Sequence, residues 1–383
     1  MTEKTILVLG GYGGAGSAIS RAIMKNTRAH LIVAGRREEK AKVLAEELNR
    51  EFPGNRASWA FADASDCKTL AEPFGRADLV IVAATTISFV ETTARTAIEA
   101  GVDYLDIHYP QEVVPILEAL APEIERAGLT FVNQAGFLPG LPSVLVRRAG
   151  AFFSDYRRAA VSVAMRTDFD PGGAVLEFVE TLGDYSAEVY RDGEWRRAGY
   201  RDVRKVDFGP PLGTKNCYPT ALAEMRDLPA RQGIEELAAY VAGLNWFVDF
   251  VVTPLAFVLG EVKKGFGRDL LTGLMVWGSK RFKAPGEAVA LVLEAKGEKD
   301  GKELSVRMTT RHDDVYEFTA MPVAAFLIQY LDGTINLPGH WMMGQVVDPT
   351  RFVEDLERMG AEVEMEVEVS RGLRPSGEME RAR

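Results

Sequence analysis

The feature that most constrains this chain is an alternation, through residues 5–132, of short apolar runs with stretches of helical period. Thr5–Leu9 (TILVL), Leu31–Ala34, Ser58–Ala62, Leu79–Ala83, Tyr104–Ile107 and Leu129–Val132 each read as a strand. Between them, Ala15–Lys25, Arg37–Arg50, Ser88–Ala100 and Val113–Ala127 carry their apolar residues on one face, as Ile19, Ala22 and Ile23 do in the first. Gly101 and Gly128 stand where C-cap glycines belong. Apolar strands separated by amphipathic helices need cover on both faces, so the pattern predicts an α/β fold with a doubly wound parallel sheet of six strands.

At 383 residues the chain has room for two or three domains. The reading divides it into a Rossmann unit over 1–140, a second α+β unit over 141–345, and a C-terminal helix, strand and tail over 346–383. In the second unit the pattern changes. Arg158–Met165 predicts a strand and Ala174–Thr181 a helix, and Asp192-Gly193 marks a hairpin. Val289–Ala295 and Leu304–Thr310 flank a turn at Lys299-Asp300-Gly301, as neighbouring strands of a mixed or antiparallel sheet would. Phe352–Met359 reads as a helix, Glu362–Val369 as a half-exposed strand, and the terminal SRGLRPSGEMERAR as a frayed tail.

Composition narrows the function classes. The net charge is −10, so no general attraction to nucleic acid or to anionic membranes is expected. Two cysteines, Cys67 and Cys217, exclude a disulfide framework, and four histidines show no paired metal-ligand spacing, so no metal is expected. The opening MTEKTILVLGGYGG has no basic region before a long apolar core, which reads as a cytoplasmic start.

The glycine cluster between the first strand and the first helix carries the chemistry. Gly11-Tyr12-Gly13-Gly14-Ala15-Gly16 matches G-x-G-x-x-G in the first βα turn, where backbone amides at a helix N-terminus cradle a dinucleotide's diphosphate. After the second strand stand Arg36 and Arg37, in place of the carboxylate that would hold ribose hydroxyls. Two guanidinium groups suit a 2′-phosphate, so the expected cofactor is NADP, with Arg36 its better ligand. Asp63 has two readings, an acceptor for the adenine amine or a cap for a helix near Ser65. Ala83, Ala84 and Thr85 follow the fourth strand, where small residues let the nicotinamide half pass.

Asp106, His108 and Tyr109 follow the fifth strand at its carboxyl end, where open α/β sheets bind ligands. Asp106 and His108 share a face if extended, and a carboxylate orienting an imidazole suits proton transfer. Tyr109 is a candidate proton donor. The alternative is that Asp106 binds loop amides and Tyr109 only lines the cleft. Gly136 and Phe137 lie in a turn, NQAGFLPG, whose amides are expected to face the nicotinamide carboxamide and which also stiffens the link between domains, two compatible roles. Arg311–Asp314 and Tyr316 read as either substrate contacts or surface-turn residues.

Four segments, GGYGGAGSAIS (10–20), VAGRR (33–37), AIEAGVDYLDIHY (97–109) and AGFLPGLPSVL (135–145), resemble the saccharopine dehydrogenase-like NADP-binding oxidoreductases, in their uncharacterised bacterial branch, and a weaker similarity continues through YEFTAMP (316–322) and LDGTINLPG (331–339). The resemblance implies NADP on the first domain, substrate and dimer contacts on the second, and hydride transfer at a C–N or C–C bond. An amino-acid-derived C–N substrate leads. The alternatives are enoyl reduction of a lipophilic substrate, as in trans-acting enoyl reductases, and NADP binding without turnover. Relatives acting on amino-acid conjugates often carry a small residue and an acid where His108 and Tyr109 stand, so saccharopine itself is not expected as substrate. A homodimer is the expected assembly.

Tyr240–Leu259 is the longest apolar stretch, interrupted by Asp249 and Pro254. Asp269–Phe282 follows with Leu270, Leu271, Leu274 and Trp277. Basic residues Lys263, Lys264, Arg268, Lys280, Arg281 and Lys283 surround it. Either 240–283 touches a membrane surface or covers a lipophilic substrate, or it packs in a core or an interface.

Overall fold

A computed structural model describes residues 4–84, 86–167, 175, 187–262, 267–282 and 286–369. Thr85, the helix expected over 174–181 (Val175 apart), Lys263, Lys264, Lys283 and the tail lie outside the described residues.

The first sheet holds β1 (Thr5–Leu9), β2 (His30–Gly35), β3 (Ala57–Phe61), β4 (Leu79–Val82), β5 (Asp103–Asp106) and β6 (Thr130–Asn133). All pairings are parallel, in the order β6-β5-β4-β1-β2-β3. The connecting helices are α1 (Gly14–Asn26), α2 (Glu38–Glu51), α3 (Cys67–Phe74), α4 (Val90–Ala100) and α5 (Val113–Arg126). The strand order reverses between β1 and β4, which opens a crevice at their carboxyl ends.

The second sheet is mixed. It contains β7 (Asp155–Arg166), β8 (Glu188–Arg191), β9 (Glu194–Arg197), β10 (Arg204–Asp207), β11 (Thr214–Thr220), β12 (Glu236–Ala242), β13 (Ala288–Lys299) and β14 (Lys302–His312). Their order is β10-β11-β12-β7-β13-β14, with β8 and β9 attached through β12. Only β12 and β7 pair in parallel; the other pairings are antiparallel. Both expected hairpin turns form: Asp192 and Gly193 (φ 57° and 85°), and Asp300 and Gly301 (53° and 72°), take the left-handed backbone a tight reversal requires. Helix α6 (Leu141–Gly150) links the two sheets, and Pro142 sits in its first turn at no hydrogen-bond cost.

The chain then returns to the first sheet. α7 (Thr253–Val262) and α8 (Arg268–Arg281) stand between β12 and β13, and α9 (Val315–Leu331) follows β14. The N-cap Asp314 of α9 accepts the Glu317 amide at 2.8 Å, and α9 packs along α1. Next, β15 (Gly339–Met342) pairs in parallel with β6 and becomes a seventh strand. Residues 339–342, assigned by the sequence division to the second unit, thus complete the first sheet. α10 (Pro349–Met359), capped by Asp348, leads into β16 (Glu362–Val369), which closes the second sheet against β14.

One apolar core runs from the inner face of the first sheet (Ile6, Val8, Leu105, Val132) through α6 and α9 (Val144, Leu145, Phe318, Phe326) into the second sheet (Leu291, Leu293). A separate core covers the outer face under α3–α5. The two units therefore share a continuous interior that fixes them around the crevice.

Candidate active site

The glycine loop is shaped by close backbone approach. A Cβ on Gly16 would lie 2.1 Å from the Gly10 carbonyl oxygen, so only glycine lets α1 seat against the loop. Gly10, at φ 81°, presses on Ala84: a Cβ there would meet the Ala84 methyl at 2.7 Å. This brings the turn after β4, with Ala83 and Ala84, against the loop. Gly13 is the N-cap of α1 and supplies no side-chain cap, and the first turn carries no acid. Helix N-terminal amides at Gly14 and Ala15, unopposed by a carboxylate, suit a diphosphate.

Tyr12 ties this loop to β2. Its ring covers Gly35, where a Cβ would lie 2.6 Å from the ring, and its hydroxyl accepts the Arg37 amide at 2.8 Å. Arg36 and Arg37 are exposed beside it. Asp63 does not cap a helix: its Oδ1 accepts from the Ser65 amide and hydroxyl, and Asp66 caps α3 through the Lys68 amide. Those Ser65 bonds hold the Asp63 carboxyl below its usual range, aided by the Arg36 charge. The Arg36 charge is thus felt at Asp63, beyond the ends of β2 and β3. The residues present fit NADP: a cradle that a Cβ would fill, an uncapped helix start, and guanidinium groups at the end of β2.

Asp106 and His108 do come together. His108 Nδ1 lies 3.4 Å from Asp106 Oδ2, both side chains being buried. Asp106 Oδ1 also accepts the amides of His108 (3.2 Å) and Gln134 (3.1 Å), and Asn133 donates from Nδ2 at 3.4 Å. Burial pushes this carboxyl up, but the His108 charge and these hydrogen bonds outweigh it and hold it below the ordinary value. Asp106 is thus an anion at neutral pH. On the other side of the imidazole, Nε2 stands 3.4 Å from Thr86 Oγ1, in the turn that follows β4.

Tyr109 does not join this pair. It is hydrogen-bonded to Thr220 of β11, and burial raises its pKa. Gly136 spends its amide on the Pro139 carbonyl at 2.9 Å, so it has none to offer a nicotinamide. What the turn presents instead is Phe137, whose ring lies 5.7 Å from that of Phe318 on α9. Gly140, at φ 123°, is required there: a Cβ would fall 2.4 Å from the Gln134 carbonyl.

Several site residues carry no local signal in the sequence. His340 on β15 lies near enough to Asp106 to feel its charge, although burial still lowers the His340 pKa. His340 Nε2, Asn133 Oδ1 and Gln134 Oε1 are buried and have no hydrogen-bond partner among the described residues. Three unspent buried polar atoms are unusual in a protein interior. Gln111 Oε1 accepts from Gln134 Nε2 (3.1 Å) and from the Ala223 amide (2.7 Å), joining this cluster to the second unit. Glu224, fully buried, accepts the amides of Gly140 (2.7 Å) and Ser143 (3.1 Å) at the start of α6.

The far wall comes from the β14–α9 junction. The Tyr316 ring covers Gly14, where a Cβ would sit 2.8 Å from it. His312 stacks on Phe318 (6.1 Å between centroids, 7° between planes), and its Nδ1 accepts the Asp314 amide at 2.9 Å. Of the residues read from sequence as substrate contacts or turn residues, Tyr316 thus stands beside the glycine loop and His312 against Phe318. Cys217 is buried, with its thiol pushed up to about 12 by burial, and is no nucleophile.

Residues 6–132 match the family model described as the saccharopine dehydrogenase NADP binding domain. No curated protein matches the chain. Among solved structures, apo saccharopine dehydrogenase (L-Glu forming) from Saccharomyces cerevisiae is similar at 15% identity, with a TM-score of 0.71, over 95% of this chain and 99% of that one. At that identity the likeness is one of fold. An engineered D-amino acid dehydrogenase bound to NADP+ matches at 13% identity and a TM-score of 0.49, over 93% of this chain and 99% of that chain. Glycine cradle, arginine pair and matched domain agree: residues 6–132 form an NADP-binding domain similar to that of saccharopine dehydrogenase.

Proposed function

We propose that the protein is an NADP-dependent oxidoreductase that moves a hydride to or from a C–N bond of an amino-acid-derived substrate, with His108 handling the proton. The observation that carries this reading is the buried Asp106–His108 pair, set at the carboxyl end of β5 and facing the turn after β4. Bound NADP would supply or accept the hydride. The chain's own residues do the rest. The amides at the start of α1 hold the diphosphate and Arg36 the 2′-phosphate. Asp106 stays ionised, so it serves to orient the imidazole and to stabilise its protonated form. That leaves His108 Nε2 to give a proton to nitrogen in one direction and remove it in the other. The polar atoms of Asn133, Gln134 and His340 are available to a substrate's amino or carboxylate group.

A second reading rests on the aromatic wall of Phe137, Phe318 and His312, which suits a lipophilic substrate and reduction of a C=C bond. One assay separates the two: NADPH oxidation followed against keto acids paired with amino acids, against cyclic imines, and against enoyl esters. Turnover of imine-forming pairs is expected, with His108→Gln lowering kcat by about 10²–10⁴-fold while NADPH affinity is kept. Turnover of enoyl esters alone would replace the first reading with the second. Tight NADPH binding without turnover of any class would refute both.

A further inference from the structure

The second sheet curls on its outer face. Three strands separate β10 from β13 in the hydrogen-bonded order, yet Arg204 of β10 is paired with Glu294 of β13. Arg307 of β14 completes the closure: it meets the same carboxylate at 2.7 Å and donates to the Asp207 carbonyl. Part of the enclosed space is filled by a core of its own, with Val206, Phe208, Leu212, Cys217, Ala290 and Val292. Toward the start of β7 that filling stops. The outward-facing side chains of β7 and β12 there are Ala160 and Ala238, and a cavity of about 910 Å³ opens beside them, a volume within the range of small-molecule sites. No described residue of its wall belongs to the candidate active site.

That wall is cationic in a chain whose net charge is −10. Among the described residues, Arg158, Arg191, Arg196, Arg197, Arg204 and Lys296 line it against three carboxylates, and each carboxylate is already shared. Glu236 lies 3.2 Å from Arg158 and 3.6 Å from Arg191. Asp202 lies 3.7 Å from Arg191 and 3.9 Å from Arg196, and Glu294 is divided between Arg204 and Arg307. Arg197 and Lys296 have no carboxylate within ion-pair distance among the described residues. Arg201 also lines the cavity but has a partner of its own, so it adds nothing to the surplus. Val175, described between β7 and β8, packs with Val248 and Leu271 at the other end of β7, where Ala288 pairs with Arg166; the cavity lies where Lys296 pairs with Arg158.

Like charges gathered in a concave wall repel one another, and a multiply charged anion relieves that repulsion. The cations stand on five strands, β7, β8, β9, β10 and β13, so they reach one volume from several sides. Such convergence suits a compact group with several charges, whereas a polymer needs an open stripe. Guanidinium groups match phosphate oxygens two at a time. Tyr190 lines the same cavity with its ring 5.5 Å from that of Trp195, so an aromatic side chain stands beside the cations. We propose that this cavity binds a polyphosphate group, either as a free chain or carried by a nucleotide whose base would rest on Tyr190.

The test is isothermal titration calorimetry of the full chain, saturated with NADPH so that the glycine cradle is filled, against ATP, tripolyphosphate and AMP. ATP, tripolyphosphate or both are expected to bind, AMP about tenfold or more weakly, and salt to weaken the binding. Arg197→Ser/Lys296→Ser changes exposed side chains only and should lower the affinity about tenfold or more, with NADPH affinity unchanged. Tyr190→Leu separates the two sources: it should weaken ATP about tenfold and spare tripolyphosphate where a base rests on the ring, and spare both where the phosphate chain alone is the ligand. No binding, binding of ATP only when NADPH is absent, or binding that survives Arg197→Ser/Lys296→Ser would each overturn the proposal. So would a single-stranded oligonucleotide that binds where ATP and tripolyphosphate do not, or a dimer in sedimentation velocity that Arg197→Ser/Lys296→Ser dissociates, because the cavity would then belong to a second copy. None of these readouts involves turnover, so they stand or fall apart from the proposed reaction.

Discussion

Raising the pH through neutrality should weaken the joint between the two units, and Glu224 is the group that does it. Burial pushes its carboxyl from 4.5 up to about 7, against the lowering effect of the Ser143 and Gly140 hydrogen bonds. A carboxyl raised on folding keeps its proton in the native state where the unfolded chain has lost it. Its contribution is therefore fully present below pH 4.5 and is lost as pH climbs to about 7. At about 1.4 kcal/mol per pH unit that window is worth about 3 kcal/mol. Glu224→Gln cannot titrate, and its amide retains one acceptor for the two N–H groups of Gly140 and Ser143. Relative to the wild type with Glu224 protonated it should cost about 1 kcal/mol. The two stability curves must then cross: wild type the more stable at about pH 5, the variant at about pH 8 by about 2 kcal/mol. Urea unfolding at constant ionic strength measures this, and the other titrating groups cancel in the difference. Trp195, whose indole donates to the Arg226 carbonyl at 3.3 Å, reports from close by. A constant gap between the curves across that range would refute the burial argument.

Arg36→Ala should weaken NADPH binding by about 10- to 100-fold, the worth of one or two charge-assisted hydrogen bonds, and leave NADH affinity unchanged; fluorescence titration of both cofactors checks it. Gly16→Ala places a methyl 2.1 Å from the Gly10 carbonyl, so it should abolish cofactor binding and lower the melting temperature measured by circular dichroism. Asp106→Asn keeps the size of the side chain but removes the charge beside His108, and should lower kcat by at least about tenfold with a shifted pH–rate profile; an unchanged profile would deny it the orienting role.

How much of this was legible in the sequence depended on how far apart in the chain the partners lie. The cofactor cradle was readable because every part of it is local. TILVL, the glycine run and the first helix are consecutive, and VAGRR ends the next strand, so periodicity and turn chemistry placed the parts without any knowledge of packing. The Asp106–His108 pair was readable for the same reason, since two residues on an extended segment share a face. Of the two readings of Asp63 the cap falls away, because Asp66, closer to the helix, takes it. For Gly136 the rigid-turn reading accounts for the amide, because the Pro139 carbonyl that takes it becomes a partner only once the turn has closed.

The rest of the site comes from the chain's return, where local pattern says little. His340 is brought to Asp106 by β15, whose four residues follow the LDGTINLPG loop and show no strand signal of their own. Glu224 reaches Gly140 across 84 positions. Tyr316 lies against Gly14 only because α9 packs on α1, and α9 is apolar nearly all round, so no single face announces where it docks. These late residues share one property: each meets a group from the first 145 residues that is already fixed by the sheet. The first sheet can therefore present the loops, the carboxylate and the imidazole before the second unit closes over them. Substrate choice is then expected to follow residues 312–342 and 220–225 more closely than the glycine loop. Exchanging those segments between two members of the family should move substrate preference while NADPH affinity stays with residues 6–132; preference that stayed with the first unit would refute this division of labour.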